Sequence, residues 1–308
     1  LQNSIEENYT DGEVLTRIFL TYINFDLMDY PKALEHIRII QEKSPLVKDI
    51  YTAGYSKIFL GYIHSHQGNY DAAFDMMVKA RQDYEKLKDD PSFGWCIYGF
   101  AVIYFDLQDY DNSFQRYNEA LELFKKHNYQ YGIARSQTGV ASVLIKRKKY
   151  EEAENLLKEA IKIYEKIEML SGLSRSYNDL GVICKFKQQT EEGLEFLQKA
   201  LSLRRKTSHL QGIATTLNEI GELLIEFSRE KEALPFLIES KDLCEKIKNK
   251  TKLFRAEWLL YRIYRNSGEL EKALTAFENY DRLKSEVNAV SSGNKIKELE
   301  KKMASEKA

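Results

Sequence analysis

The residues best suited to metal or thiol chemistry in this chain are two neighbouring histidines and three cysteines. His64 and His66 are two positions apart, and such residues on a helix point to nearly opposite sides, which makes them poor joint metal ligands. Cys96, Cys184 and Cys244 are scattered and odd in number, so they form neither a disulfide framework nor a zinc-binding spacing. The sequence also has no glycine-rich phosphate loop, HExxH, CxxC or nucleophile elbow. We therefore predict no metal site, no cofactor and no catalytic activity for this chain.

The charge and hydropathy of the 308 residues narrow the classes of partner. A net charge of -1 argues against bulk electrostatic attraction to nucleic acid or to anionic lipid. No apolar run approaches the roughly 18 residues of a membrane span, and no signal peptide is present. We expect no nucleic acid or membrane contact, and the scattered cysteines favour a cytoplasmic location. Because the sequence begins at Leu1 rather than methionine, we expect it to be part of a longer protein.

Internal repetition dominates the sequence, because matching residue types recur at a spacing of 40 positions. A column of bulky apolar residues runs through Leu20, Leu60, Phe100, Val140, Leu180, Ile220 and Leu260. Columns of small residues run through Ala33, Ala73, Ser113, Ala153, Gly193, Ala233 and Ala273, and through Gly61, Ala101, Ala141, Gly181 and Gly221. The columns predict seven repeats, at residues 11–50, 51–90, 91–130, 131–170, 171–210, 211–250 and 251–290.

Each repeat is predicted to contain two helices. In the fifth repeat the apolar residues follow the 3.6-residue period twice, first as Tyr177, Leu180, Ile183 and Cys184 and then as Leu194, Leu197, Ala200 and Leu201. Gly68 and Gly268 suit the left-handed end of a helix. One pair of helices cannot bury both of its faces, so neighbouring pairs must stack. The predicted fold is an all-α, right-handed solenoid over residues 1–290 with a helical tail over residues 291–308.

This pattern resembles the tetratricopeptide repeat family over residues 11–290. The resemblance rests on the small and aromatic positions, for instance Leu60, Gly61, Tyr70, Ala73 and Ala80. The usual unit has 34 residues, and the longer unit here is similar to the extended repeats of Rap-type regulators, Pins-type scaffolds and bacterial sensor proteins. The resemblance implies a non-catalytic array that binds a protein or peptide segment in a concave groove.

The resemblance also implies that the first helix of each repeat lines this groove. We predict three kinds of groove residue: aromatic anchor sites, asparagines that bind a peptide backbone, and arginines that bind carboxylates. They are Tyr55, Trp95, Tyr98, Asn178, Asn218, Arg135, Arg175, Arg255 and Arg262. Two alternatives stay open, namely that the aromatic residues pack under the preceding repeat and that the arginines pair with acids of the neighbouring repeat.

The last eighteen residues carry a different signal. After the break Ser-Ser-Gly at 291–293, Ile296, Leu299 and Met303 follow at spacings of three and four, as in a coiled coil. A polar helix that closes the solenoid is the alternative interpretation. The run from Ile296 to Lys302 is similar to the connector that follows such arrays in bacterial signalling proteins. That resemblance implies a homodimer through this helix and a catalytic output domain beyond it.

Two hypotheses for the function follow. In the first, the chain is the sensor and dimerising part of a bacterial signalling protein, such as a diguanylate or nucleotide cyclase or a histidine kinase, and passes a binding signal through its C-terminal helix. In the second, it is a stand-alone adaptor or a Rap-type, peptide-regulated protein that sequesters a partner.

Overall fold

The computed structural model describes residues 10–46, 50–85 and 90–288. Within this part the chain forms fourteen α-helices and no strand, with helices beginning about every 20 residues. They are α1 (Thr10–Asp26), α2 (Tyr30–Lys43), α3 (Ile50–His66), α4 (Tyr70–Tyr84), α5 (Pro91–Asp106), α6 (Tyr110–Lys126), α7 (Gln130–Lys146), α8 (Tyr150–Lys166), α9 (Leu170–Phe186), α10 (Thr190–Lys206), α11 (Leu210–Glu226), α12 (Glu230–Lys246), α13 (Lys250–Asn266) and α14 (Leu270–Asn288). The predicted all-α solenoid of helix pairs is confirmed.

The described helices fall into two compact units, one ending at Lys149 and the other beginning at Tyr150. Within each unit, consecutive helices pack side by side along the chain. Unit 1 contains α1 to α7, and unit 2 contains α8 to α14. The predicted boundary at residue 290 and the tail residues Ile296, Leu299 and Met303 lie outside the described residues, so the domain division stays a prediction.

The short turns that the structure describes in full between consecutive helices share one backbone geometry. A residue with positive φ follows the helix end, and the next amide closes the helix, as in the 2.9 Å hydrogen bond from Asp109 N to Tyr104 O. Gly68 and Gly268 have φ values of 78°, which confirms the prediction for these two residues. Nine other positive-φ residues are not glycine. The repeat therefore imposes this turn on residues that rarely adopt it on their own.

The columns of small residues mark the points where the two helices of a repeat cross. In the fifth repeat, a Cβ added at Gly181 would lie 2.5 Å from the Leu197 side chain and 3.2 Å from the carbonyl oxygen of Gly193. Helices α9 and α10 thus approach each other closely enough to exclude larger side chains. Five residues of the bulky column are buried, namely Phe100, Val140, Leu180, Ile220 and Leu260.

A second set of contacts seals the junction between successive repeats. These contacts are made by one residue in the last turn of the second helix, which we call the junction position. In the second to sixth repeats this position is occupied by Tyr84, Phe124, Tyr164, Arg204 and Cys244. The three aromatic rings are completely buried. Each ring packs against a glycine, where a side chain would not fit. A Cβ added to Gly54 would lie 2.3 Å from the Tyr84 ring, and the same distance is 2.5 Å from Gly132 to Phe124 and 2.4 Å from Gly172 to Tyr164.

Candidate functional site

The predicted aromatic anchors of unit 1 lie inside a network of rings. Trp95 is 9% exposed and Tyr98 is 3% exposed. The Trp95 ring centroid lies 4.9 Å from that of Phe124, and the Tyr98 centroid lies 5.1 Å from that of Tyr117. Both side chains thus pack against the second helix of their own repeat, whereas the alternative stated above placed them under the preceding repeat. Their role in binding a partner stays a prediction.

The other predicted residues of unit 1 border the same network. Tyr55 is half-buried and stacks on Phe59, with 6.4 Å between ring centroids. The guanidinium of Arg135 lies 5.5 Å from the centroid of Tyr98, a distance suited to a cation–π contact. These positions thus form an aromatic surface with one cationic side chain at its border.

The two predicted peptide-binding asparagines of unit 2 are buried and have partners inside the unit. Asn178 Oδ1 accepts hydrogen bonds of 3.0 Å from Arg204 Nη1 and from Thr216 Oγ1. Asn218 is completely buried, donates from Nδ2 to the carbonyl oxygen of Lys252 (3.1 Å) and accepts at Oδ1 from Ser240 Oγ (2.7 Å). Both amides therefore position neighbouring side chains and backbone, and their role toward a peptide stays a prediction.

Charged side chains of alternating sign connect the first helices of three successive repeats in unit 2. Arg255 on α13 donates to Glu219 (2.8 Å) and to Glu222 (2.7 Å), both on α11. Lys185 on α9 donates to Glu222 and lies 3.6 Å from a carboxylate oxygen of Glu219. The alternative of pairing with acids on the neighbouring repeat therefore describes Arg255.

The pKa values of this network follow from its geometry. Burial alone would raise the pKa of Glu222, but the charges and hydrogen bonds of Arg255 and Lys185 outweigh burial and lower it. The two glutamates in turn raise the pKa of Arg255 against the effect of burial. Glu222 and Arg255 are consequently charged at neutral pH, and the network holds the three first helices in register.

Two predicted arginines on the same helices stay outside the network. Arg175 on α9 is exposed and Arg262 on α13 is half-buried. Neither of them makes an ion pair or a hydrogen bond with another side chain in the part of the chain that the structure describes. We call the surface formed by Arg175, Glu222, Arg255 and Arg262 the charged face. Lys185 and Glu219 are buried behind it. Together these residues have four cationic groups against two carboxylates, an excess that favours an acidic partner.

The residues suited to metal and thiol chemistry are not assembled into a reactive site within the described ranges. His66 is hydrogen-bonded to the Tyr30 hydroxyl (2.9 Å), and no cluster of three or more metal-ligating side chains is found there. Burial raises the pKa of Cys184 and of Cys244 to about 11, so both thiols are protonated and weakly nucleophilic at neutral pH. Among the described helices, none has both the length and the apolar character that a membrane span requires.

Two cationic residues of unit 2 escaped the sequence prediction. Arg204 on α10 and Lys252 on α13 lie among the residues that hold Asn178 and Asn218. The sequence contains a signal for Arg204, because it follows three aromatic residues at the junction position. The predicted groove residues all lie on first helices, whereas Arg204 belongs to a second helix.

The repeats of this chain match a known protein family. The family model for the tetratricopeptide repeat matches residues 54–126, 96–166, 132–206 and 172–246. No curated protein matches the sequence significantly.

Similar solved structures include the apo form of RapI, with 16% identity, a TM-score of 0.63 and coverage of 90% of this chain and 99% of that chain. Aspartyl phosphate phosphatase F from Bacillus subtilis has 15% identity and a TM-score of 0.63, with coverage of 92% and 74%. The Rap conjugation gene regulator of plasmid pLS20, in complex with the Phr* peptide, has 13% identity and a TM-score of 0.59, with coverage of 93% and 98%. At these identities the likeness is one of fold. The matched repeats cover more than half of the sequence, and the chain belongs to the tetratricopeptide repeat family.

Proposed function

We propose that this chain is a non-catalytic, peptide-binding array and that an acidic, extended segment binds to the charged face of unit 2. The observation that carries the proposal is the pair Arg175 and Arg262, two cations without an ion-pair partner among the described residues, beside a fixed network of opposite charges. The network holds the helices in register, so the backbone positions that carry the two arginines need no ordering on binding. Arginine suits this role because its planar fork matches a carboxylate.

Similarity of fold supports the peptide class of ligand. One similar structure, the Rap conjugation gene regulator of plasmid pLS20, is a complex with the Phr* peptide. Another is an aspartyl phosphate phosphatase, but identity of 15% transfers no activity to this chain. The buried, protonated thiols of unit 2 give no support for catalysis either.

The binding proposal can be tested with peptides of about ten residues, which in extended form span about 33 Å, or three repeats at about 10 Å each. A phage-displayed random library selects binders of the whole chain, and fluorescence anisotropy then measures their Kd. We expect the double variant Arg175→Ala/Arg262→Ala to bind selected peptides at least about ten-fold more weakly, since each charge-assisted hydrogen bond contributes about 1.5–3 kcal/mol.

The matched control is Lys162→Ala/Lys231→Ala, which removes two exposed cations from the second helices α8 and α12. It keeps the same net charge as the arginine variant, so an equal loss of affinity in both would show a nonspecific charge effect. A selection without enriched peptides, or equal affinities for wild type and the arginine variant, would contradict the proposal.

A second candidate function is the sensor that passes a signal through its C-terminal helix. The apolar spacing in the tail favours it, namely that of Ile296, Leu299 and Met303. We expect the whole chain to sediment as a dimer and the chain truncated after residue 290 to sediment as a monomer in analytical ultracentrifugation. A triple variant with Ile296, Leu299 and Met303 replaced by serine should behave like the truncated chain. Identical masses for all three proteins would favour the stand-alone adaptor or Rap-type alternative.

A further inference from the structure

The junction position changes its chemistry in the fifth repeat. In the three preceding repeats it holds a completely buried aromatic ring packed against glycine, as Tyr164 does against Gly172. In the fifth repeat Arg204 occupies the junction position beside Gly212, where an added Cβ would lie 2.6 Å from His209 Nδ1 and 3.0 Å from Arg204 Cδ. A guanidinium therefore stands where the three preceding repeats have an aromatic ring.

The partners of Arg204 are all neutral. Its side chain is inside the unit, with the residue only 7% exposed. Nη1 donates to Asn178 Oδ1 (3.0 Å), to the carbonyl oxygen of Gly212 (2.8 Å) and to the Thr216 hydroxyl. The other edge of the guanidinium is different: Nε is buried without a hydrogen-bond partner, and Nη2 donates to no described residue. Two parallel N–H groups are thus left for one bidentate acceptor.

The surroundings of Arg204 hold other cations, and the nearby carboxylates compensate its charge only from a distance. Within the described residues no carboxylate lies within ion-pair distance of Arg204. Burial, with the charge of Arg175, lowers the pKa of Arg204 to about 10, against the weaker opposite effects of Asp179 and Glu219. Burial and the charges of Arg255 and Arg204 also lower the pKa of Lys252, against the opposite effect of Glu219.

A buried cation without a counter-charge is unfavourable, because its lost hydration is not replaced by an ion pair. An aromatic residue at the junction position, as in the three preceding repeats, would avoid this cost of burying a charge. The positive cluster of Arg204, Arg175 and Lys252 is therefore a site that lacks its anion. The exposed Arg175 lies on the charged face, so the cluster is adjacent to the surface proposed to bind a peptide.

We propose that the Nε and Nη2 edge of Arg204 receives a carboxylate of the bound segment, and that Arg175 and Lys252 attract this carboxylate to the junction between the fifth and sixth repeats. This inference rests on the proposed function and deepens it, because it assigns a specificity site for acidic segments. The carboxylate comes either from an aspartate or glutamate side chain or from the C-terminus of the segment.

The first test needs no peptide and uses acetate as the carboxylate probe. The Nε–H signal of Arg204, assigned in the NMR spectrum by its loss in Arg204→Tyr, should shift saturably when acetate replaces chloride at constant ionic strength. A shift that is linear, or that chloride produces equally, would show an adventitious ion only and would overturn the site.

The second test compares one selected peptide in three forms. One has an internal aspartate and an amidated C-terminus, one has asparagine in its place and an amidated C-terminus, and one has asparagine and a free C-terminus. We expect wild type to prefer one of the two carboxylate-bearing forms about ten-fold, which also identifies the source of the carboxylate. Arg204→Tyr should bind all three forms with the same Kd, and Arg204→Lys, which lacks the fork, should keep only a small preference.

The variants also separate this inference from the proposed function. Circular dichroism should show Arg204→Tyr to be fully folded, because tyrosine is the residue that the junction of the fourth repeat uses. A carboxylate preference that persists in Arg204→Tyr, or its absence in wild type, would refute the Arg204 site while peptide binding itself stands. If no form binds wild type, the proposed function fails and the acetate titration alone decides the site.

Discussion

Replacing Phe124 with alanine is expected to lower the free energy of unfolding by about 3–5 kcal/mol. The Phe124 ring is completely buried and lies 4.9 Å from the Trp95 ring and 5.6 Å from the Tyr129 ring, centroid to centroid. It also fills the space beside Gly94 and Gly132, where no side chain could move in to replace it. The variant would therefore leave a cavity at the junction of the third and fourth repeats, inside unit 1.

Urea denaturation measures this loss. Because each unit contains one tryptophan, removing the other tryptophan lets fluorescence follow the unfolding of a single unit. In a Trp258→Phe background only Trp95 reports, and it lies in unit 1 beside the new cavity. The matched control is Phe114→Ala, which removes the same side chain from a half-buried place on the same helix. We expect a clearly smaller loss for the control. Equal losses for the two variants would contradict the sealing role of the junction position.

Replacing Arg255 with methionine is expected to cost about 1–3 kcal/mol of unfolding free energy at pH 7, less than a fully buried pair because Arg255 is partly exposed. The change leaves Glu219 and Glu222 with Lys185 as their remaining cationic partner. Their mutual repulsion then opposes the packing of α11 against its neighbours. The methionine retains most of the aliphatic packing of the arginine stem.

The stability lost in Arg255→Met is expected to depend on pH, because it comes from ion pairs of a titrating carboxylate. The folded-state pKa of Glu222 is lowered from its usual value of 4.5, so its ion pairs stabilise the fold above that pH. As pH falls through the lowered pKa, the carboxylate is protonated and this stabilisation is lost. The difference between wild type and Arg255→Met should therefore shrink in acid.

Urea denaturation at pH 7 and in acid tests this prediction, with Trp258 as the reporter in a Trp95→Phe background. Arg265→Met, on the exposed face of the same helix, is the control and should change little at either pH. A loss in Arg255→Met that is the same at both pH values would show that lost packing, and not the ion pairs, is responsible.

The predicted groove residues also show why equivalent positions on successive first helices do not by themselves make a binding site. Asn178, Arg175 and Trp95 all belong to the stripe predicted on first helices. The structure buries Asn178 against Arg204 and Trp95 against Phe124, whereas Arg175 stays exposed. In both buried cases the partner comes from a second helix, which the stripe does not include.

The sequence by itself determined the helix pairs, their 40-residue period and the closely packed crossings, because each of these depends on local periodicity and on small residues such as Gly181 and Gly193. Only the tertiary structure decided which polar residues remain available to a partner. That property depends on neighbours far away in sequence, as with Arg255 and Glu219 or Arg204 and Asn178. Burial and charge compensation are sums over the whole surroundings of a side chain, and a pattern along one helix contains only a part of those surroundings.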